Sequence, residues 1–530
     1  MQIADNFSKN APLPLKGGGT TSPETSAQLR RMRQRYRFIH LRRSFRFWWY
    51  RILIVLIGTL VATQLGPLLL SYPKEIIGGA AALVLIFWAI RRLEFGLILF
   101  ALCATAISPK ALSLKSVDIY PAHILVFLLL FVILAQMAFR VREYTLPSFW
   151  TIWPQLGLIA MAIISEIMIQ VTWIQLVPHH LNTTPLIYSQ VLGIIMYCFP
   201  LMTIIITTAC VSINERLIEG VQRAFLIAGA LAALVIGFEF KRIGADIYTF
   251  RYTEPVIIYM SLRALAQLMG LAAIIAYVRL LTAKSRKEFL LCAVLLVMYL
   301  ASVYFTLENS WWVEVAVAFV VITLVYSRRL ALTLGVLCLP LLPLLKGELA
   351  KLQSVKSADA YRLIIWQDSL RLWEKRPILG VGPGNFWPYD QVFTQLPFLL
   401  RNFNNTGLGV AHNGTLQILG ELGPLGVVFF YSFVAVVVYT AFRIYRRSKA
   451  PEERDDRRLA LICIGLVLGS IAGDFFSGSF FLPPRQIGSF QDLPQVLSTW
   501  IMFGCLFYKD KIWRKAQQTL KFNDAQPELG

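Results

Sequence analysis

Long apolar runs recur along this chain with short polar junctions between them. Their limits fall near residues 47–66, 76–90, 94–108, 119–138, 153–172, 187–210, 219–238, 257–281, 288–306, 311–327, 330–345, 417–441, 458–476 and 494–508. A helix rises about 1.5 Å per residue and the hydrocarbon core of a bilayer is about 30 Å thick, so runs of about 20 residues have the length to cross it. The pattern predicts an all-α, polytopic integral membrane protein with about 14 transmembrane helices. Ahead of the first run, residues 1–29 are rich in Gly, Pro, Ser and Thr, including Gly17 to Gly19, and are expected to form a disordered tail. This arm is too long, and the spans after it too many, for a cleaved signal peptide.

The junctions sort by charge. Alternate ones read Arg91-Arg92, Arg140-Val141-Arg142, Asn214-Glu215-Arg216, Lys284-Ser285-Arg286-Lys287, Ser327-Arg328-Arg329 and Arg443 to Arg458, each of them basic. Of the others, 173–186 and 307–310 contain no Lys or Arg. Positive charge marks the cytoplasmic side, so both termini are expected inside. The expected layout is a cytoplasmic disordered and basic arm at 1–46, helices 1–11 over 47–345, a loop on the outer face at 346–416, helices 12–14 over 417–508 and a cytoplasmic tail at 509–530. The loop carries Lys346, Lys351, Lys356, Arg362, Arg371, Lys375, Arg376 and Arg401 on the side where cations are disfavoured. They are either solvated charges on a structured cap or a site for an anionic substrate. From Tyr361 to Trp373, Leu363, Ile364, Trp366, Leu370 and Trp373 recur at helical spacing, which predicts an amphipathic helix lying on the outer membrane surface.

Composition agrees with the pattern. Of 530 residues 57% are hydrophobic and 15% charged, and the mean hydropathy is +0.60, which excludes a soluble globular protein, a disordered chain and a disulfide-stapled secreted domain. The net charge of +21 raises nucleic acid as a partner, but nine arginines between Arg30 and Arg51 lie before and at the start of the first apolar run, as expected for a membrane-flanking arm. No nucleic acid is expected. All seven cysteines lie in apolar runs and read as buried thiols.

Candidate chemistry gathers in and just after the loop: Arg362-Leu-Ile-Ile-Trp366, then Arg376-Pro377-Ile-Leu-Gly380-Val-Gly382-Pro-Gly384-Asn385, then His412-Asn413-Gly414-Thr-Leu-Gln417-Ile-Leu-Gly420-Glu421-Leu-Gly423-Pro424. No strand precedes the glycine run, so it is a tight turn rather than a phosphate loop, with or without an anion at its amides. Asn413, Gln417 and Glu421 are spaced i, i+4, i+8 and share one helix face, with His412 at its start. Ionisable groups entering a membrane span usually face a cavity or a partner.

These pieces together resemble the O-antigen ligase and polymerase superfamily over about residues 355–430. The resemblance implies an integral membrane glycosyltransferase that moves a glycan from undecaprenyl diphosphate to an acceptor hydroxyl at the outer face of a bacterial inner membrane. It places the family histidine on His412, the loop arginine on Arg362, the glycines on Gly380, Gly382 and Gly384, and the acidic position on Glu421. One departure is the segment Leu307-Glu308-Asn309-Ser310-Trp311, which lacks the Ser-Arg pair the family commonly has there. Arg251 lies where the family often carries an arginine and could supply that contact. Arg263 reads either as a site residue or as the buried partner of Glu166 or Glu314.

The chemistry follows from the donor. Departure of a lipid diphosphate builds negative charge that guanidinium groups match with paired hydrogen bonds, a role for Arg362 and for Arg251 or Arg376. Gly380, Gly382, Gly384 and Gln417 complete the expected binding set. An alcohol acceptor needs a base, and imidazole, with a pKa of about 6.5, suits it. His412 is therefore the expected general base, with Glu421 or Asn413 orienting it, and the reaction a single displacement with inversion. No metal or other cofactor is required. The acceptor is lipid A core, another glycan, or a protein hydroxyl, the last two making the enzyme a polymerase or a protein oligosaccharyltransferase. A lipid-linked sugar transporter and a non-catalytic scaffold are the readings of other classes.

Overall fold

A computed structural model describes residues 83–104, 112–114, 117–119, 121–172, 186–243, 262–306, 309–338, 356–386, 411, 413–477 and 493–524. The expected first span and disordered tail, Arg251 and His412 lie outside the described residues. Thirteen helices of eleven residues or more are described: α1 Leu93–Cys103, α2 Pro121–Ala138, α3 Phe149–Thr172, α4 Leu186–Val211, α5 Leu217–Ile243, α6 Leu262–Leu281, α7 Arg286–Thr306, α8 Asn309–Tyr326, α9 Arg328–Cys338, α10 Lys356–Lys375, α11 Gly414–Arg447, α12 Arg454–Ser477 and α13 Leu493–Asp524. Among the described residues the protein is helical but for a two-stranded antiparallel hairpin between α1 and α2, Leu112–Leu114 with Val117–Ile119, in which Ser113 faces Asp118.

Seven helices among the described residues are long and apolar enough to cross a membrane: Pro121–Ala138, Phe149–Ile169, Gly193–Val211, Leu217–Phe238, Arg286–Thr306, Gly414–Arg447 and Pro451–Phe475, the last of which runs through a short 3₁₀ turn into α12. Leu93–Cys103, Leu265–Leu281 and Ser310–Tyr326 are shorter apolar helices. Among the described residues, the runs at 119–138, 153–172, 187–210, 288–306 and 311–327 became helices within a few residues of their sequence limits. At the chain's end, helix α13 continues through the segment expected as a tail, to Asp524.

Burial separates the helices by depth. On α6, every residue from Leu265 to Val278 is buried, because α5, α7, α8 and α12 all pack around it. Outward faces of the peripheral helices keep apolar side chains exposed, such as Phe131, Leu234 and Val297, as lipid-facing surfaces require. Small residues let helix backbones approach: a Cβ at Gly469 of α12 would come within 2.6 Å of the Glu314 carbonyl oxygen on α8.

The basic junctions converge at one end of this bundle. Lys511 donates to the Leu146 carbonyl at 2.7 Å, the Thr145 amide to Ser212 Oγ at 3.2 Å, and Tyr326 OH to the Leu281 carbonyl at 2.8 Å. Arg458, in the first turns of α12, bonds Thr282 Oγ1 at 2.8 Å and Glu288 at 2.6 Å, both beside the α6–α7 junction. Lys509 pairs with Glu215 and, at 2.7 Å, with Asp456. Charge alternation in the sequence therefore has a geometric counterpart: alternate junctions meet.

Candidate active site

The opposite end is built around the turn that follows α10. Three glycines there have positive φ, Gly380 at 65°, Gly382 at 87° and Gly384 at 76°, a region that costs a residue with a Cβ about 1–2 kcal/mol. Contact as well as conformation requires them. A Cβ at Gly380 would sit 2.6 Å from the carbonyl oxygens of Gly420 and Glu421, and one at Gly382 2.8 Å from Glu166 Oε2. The turn lies on α11 like an extra strand: the Val381 amide donates to the Gly420 carbonyl and the Gly382 amide to the Glu421 carbonyl, each at 2.9 Å. The Gly380 amide donates to Arg376 at 3.0 Å. The amides of Gly380 and Gly382 are thus taken up inside the protein, and what these two glycines contribute to a site is shape.

Helix α11 supplies carbonyls to that turn because it is bent. Gly423 has φ 70° and ψ −171°, and Pro424 follows it, so the intrahelical ladder is broken where the turn docks. Ser165 of α3 pins the joint from below, its hydroxyl donating to the Leu379 carbonyl at 2.5 Å and lying 3.2 Å from that of Glu421. Next along α3, Glu166 accepts a hydrogen bond from Asn385 Nδ2 at 2.9 Å. Glu314, the other acid considered for Arg263, accepts from Ser470 Oγ at 2.9 Å. The side chains of Arg263 and Arg362 lie outside the described residues, although their backbones lie on α6 and α10.

The polar stripe on α11 forms a connected chain. Asn413 caps the helix, its Oδ1 accepting from the Leu416 amide at 3.0 Å. Gln417 accepts from the Ala411 amide at 3.0 Å and donates to Glu421 Oε1 at 2.8 Å. Glu421 is fully buried, and Tyr197 OH reaches its other oxygen at 3.5 Å. Both neighbours of His412 are therefore fixed, Ala411 through Gln417 and Asn413 through its cap. Arg376 is half-buried at the entry to the turn.

Helix α10 presents a different inner face from the one its largest apolar residues outline. Ile365, Asp368, Ser369 and Leu372 are buried, with Ile365 and Leu372 in a small cluster with Ile169, Val381, Phe386 and Ala411, whereas Leu363 and Leu370 are exposed. The helix packs on α11. Burial pushes the Asp368 carboxyl up from its ordinary range, opposed by Arg371, which bonds it at 3.1 Å.

Ser165 and Tyr197 carry no signal of a role in the motifs, and Asn385 stands there only as the end of the glycine run. Ser165-Glu166, a polar pair inside an apolar run, was the available signal.

A multi-pass helical membrane protein with a buried polar seam at one end is the class these features define. Residues 271–431 match the model of the O-antigen ligase family. The matched stretch, somewhat under a third of the chain, runs from α6 to just past the bend of α11 and takes in α10, the glycine turn and the Asn413–Gln417–Glu421 stripe; it supports the O-antigen ligase and polymerase superfamily. Members of that family are membrane glycosyltransferase-like enzymes. No curated protein matches the chain.

Proposed function

We propose that the protein is an inverting glycosyltransferase that moves a glycan from undecaprenyl diphosphate to an acceptor hydroxyl at the outer face of the bacterial inner membrane. The observation that carries this reading is the glycine turn docked on the bent start of α11 within the family match, beside the Gln417 and Asn413 hydrogen bonds that hold the residues on both sides of His412.

In the reaction His412 takes the acceptor's hydroxyl proton as its oxygen bonds the anomeric carbon. The bond from that carbon to the diphosphate oxygen breaks on the opposite face, and the lipid diphosphate leaves with its charge matched by Arg362 and by Arg251 or Arg376. Glu421 acts through Gln417 on the 411–413 segment, as a positioning residue. Asn413 contributes the cap, and Gly380, Gly382 and Gly384 give the pocket wall its shape. No metal enters the scheme. Both termini are cytoplasmic and the 346–416 segment faces outward.

Purified protein, supplied with lipid-linked donor and each acceptor class in turn, tests this. His412→Ala is expected to lower turnover about 100- to 10,000-fold in a protein that still inserts and melts normally. Retention of more than roughly a tenth of wild-type turnover would remove the base assignment, since even the low end of base catalysis is larger. Product analysis separates ligase from polymerase and protein transfer, and movement of a fluorescent donor across vesicles without transfer would instead make the protein a transporter.

A further inference from the structure

The far end of α11 carries an arrangement that glycan transfer does not use. Tyr439, Arg443 and Arg447 are spaced i, i+4, i+8 along α11 and form one stripe beside α13. The Arg443 guanidinium lies 5.5 Å from the Tyr439 ring centroid and 5.4 Å from that of Trp513, and the Arg447 guanidinium lies 4.6 Å from the Trp513 centroid. Two cations thus share one indole. Nearby carboxylates are already engaged: Asp510 serves both Arg443 and Arg514, and Asp456 serves Lys509. Arg447 Nη2 reaches the Lys509 carbonyl at 3.4 Å, but its Nη1 is buried without an acceptor, as are Arg443 Nε and the hydroxyl of Ser448, a residue only 2% exposed.

We propose that Arg443, Arg447 and Ser448, backed by Trp513, form a binding site for the phosphate of an anionic glycerophospholipid at the membrane face opposite the glycine turn. Guanidinium groups stacked on an aromatic ring keep their N–H edge free for phosphate oxygens, and the orphaned donors are the ones a phosphodiester would satisfy. The depth is right for a headgroup. Arg447 lies 26 residues beyond Glu421, roughly 40 Å along a helix, which is the distance across a bilayer with its headgroups. A lipid rather than a free phosphate fits the surroundings, because Tyr439 is 54% exposed one turn deeper than Arg443 and Ile512 is 39% exposed beside Trp513, an amphipathic rim for acyl chains.

Delipidated full-length protein in detergent, titrated with phosphatidylglycerol or phosphatidylcholine and read by native mass spectrometry, tests the site. Wild type is expected to bind phosphatidylglycerol in preference, and Arg447→Gln, which breaks no ion pair, to weaken that binding about tenfold without changing phosphatidylcholine. Arg447→Lys keeps the charge and loses the fork, so it should fall between the two, and it serves as the reporter if the glutamine variant does not fold. Unchanged phosphatidylglycerol affinity in the folded variants, or equal binding of the two lipids by wild type, overturns the proposal. Full displacement of the lipid by millimolar inorganic phosphate makes the ligand a free anion and overturns the lipid assignment.

Discussion

At its two ends α11 meets charge in opposite ways. Near Gly414 the polar groups are few, buried and directed at one another: Ser165, Glu166, Asn385, Gln417 and Glu421 each have a hydrogen bond inside the protein, and a carboxylate sits at zero exposure in a span. Near Arg447 the ionic groups are many and partly wet, with Arg443 20% and Asp456 20% exposed at the side chain, and cations outnumber the acids that face them. A closed network fixes positions because each member has one satisfied geometry, and a missing member leaves a buried partner orphaned. A wet network tolerates rearrangement and acts mainly through its net sign. The first end has the properties of a site and the second those of an anchor.

Variants at each end sharpen this contrast, since a site should lose turnover faster than stability and an anchor the reverse. The largest effect is expected from Gly380→Val, which adds a branched side chain at positive φ against the Gly420 and Glu421 carbonyls. Strain and overpacking together amount to several kcal/mol, and transfer should be abolished. A melting temperature near wild type with full turnover would show that the turn does not need this register. Next is Arg458→Ala at the other end. Its side chain is 6% exposed and holds Glu288, which is 24% exposed, so the loss is discounted for solvent to about 1–3 kcal/mol. Melting in detergent should fall while turnover per folded molecule stays within about twofold, a difference below 0.5 kcal/mol in barrier. A selective loss of turnover would contradict the division between the ends.

Ser165→Ala should cost about 1–2 kcal/mol by leaving the Leu379 carbonyl without its donor. Because that donor aligns the turn, turnover should drop beyond what melting accounts for, and Ser165→Thr should restore part of both. The smallest effect belongs to Arg223→Ala. Arg223 pairs with Glu219 one helical turn away, at side-chain exposures of 64% and 46%, so a change of at most about 0.5 kcal/mol is expected in melting. A larger change would mean that the wet end is more tightly coupled than its exposure implies.

Much of the fold was legible because a bilayer admits few backbone solutions: a long apolar run has to be a helix, and its flanking arginines mark a side. The runs at 119–138 and 288–306 became Pro121–Ala138 and Arg286–Thr306 for this reason. The glycine turn was legible as a turn, and the Asn413–Gln417–Glu421 stripe as a helix face, because both are local properties of spacing. The buried face of α10 was not, since Leu363 and Leu370 are its obvious apolar residues and yet Ile365, Asp368, Ser369 and Leu372 are the ones covered.

By itself, then, the sequence determined the helices, their alternation of charge and the local form of the turn, all of which depend on residues close together in the chain. Only the tertiary structure decided that Ser165 and Glu166 meet the turn more than two hundred positions later, and that the Gly380 and Gly382 amides face the protein. Such pairings are set by how helices pack in three dimensions, where one small residue or one bend at Gly423 decides which groups touch, and no spacing along the chain encodes that choice.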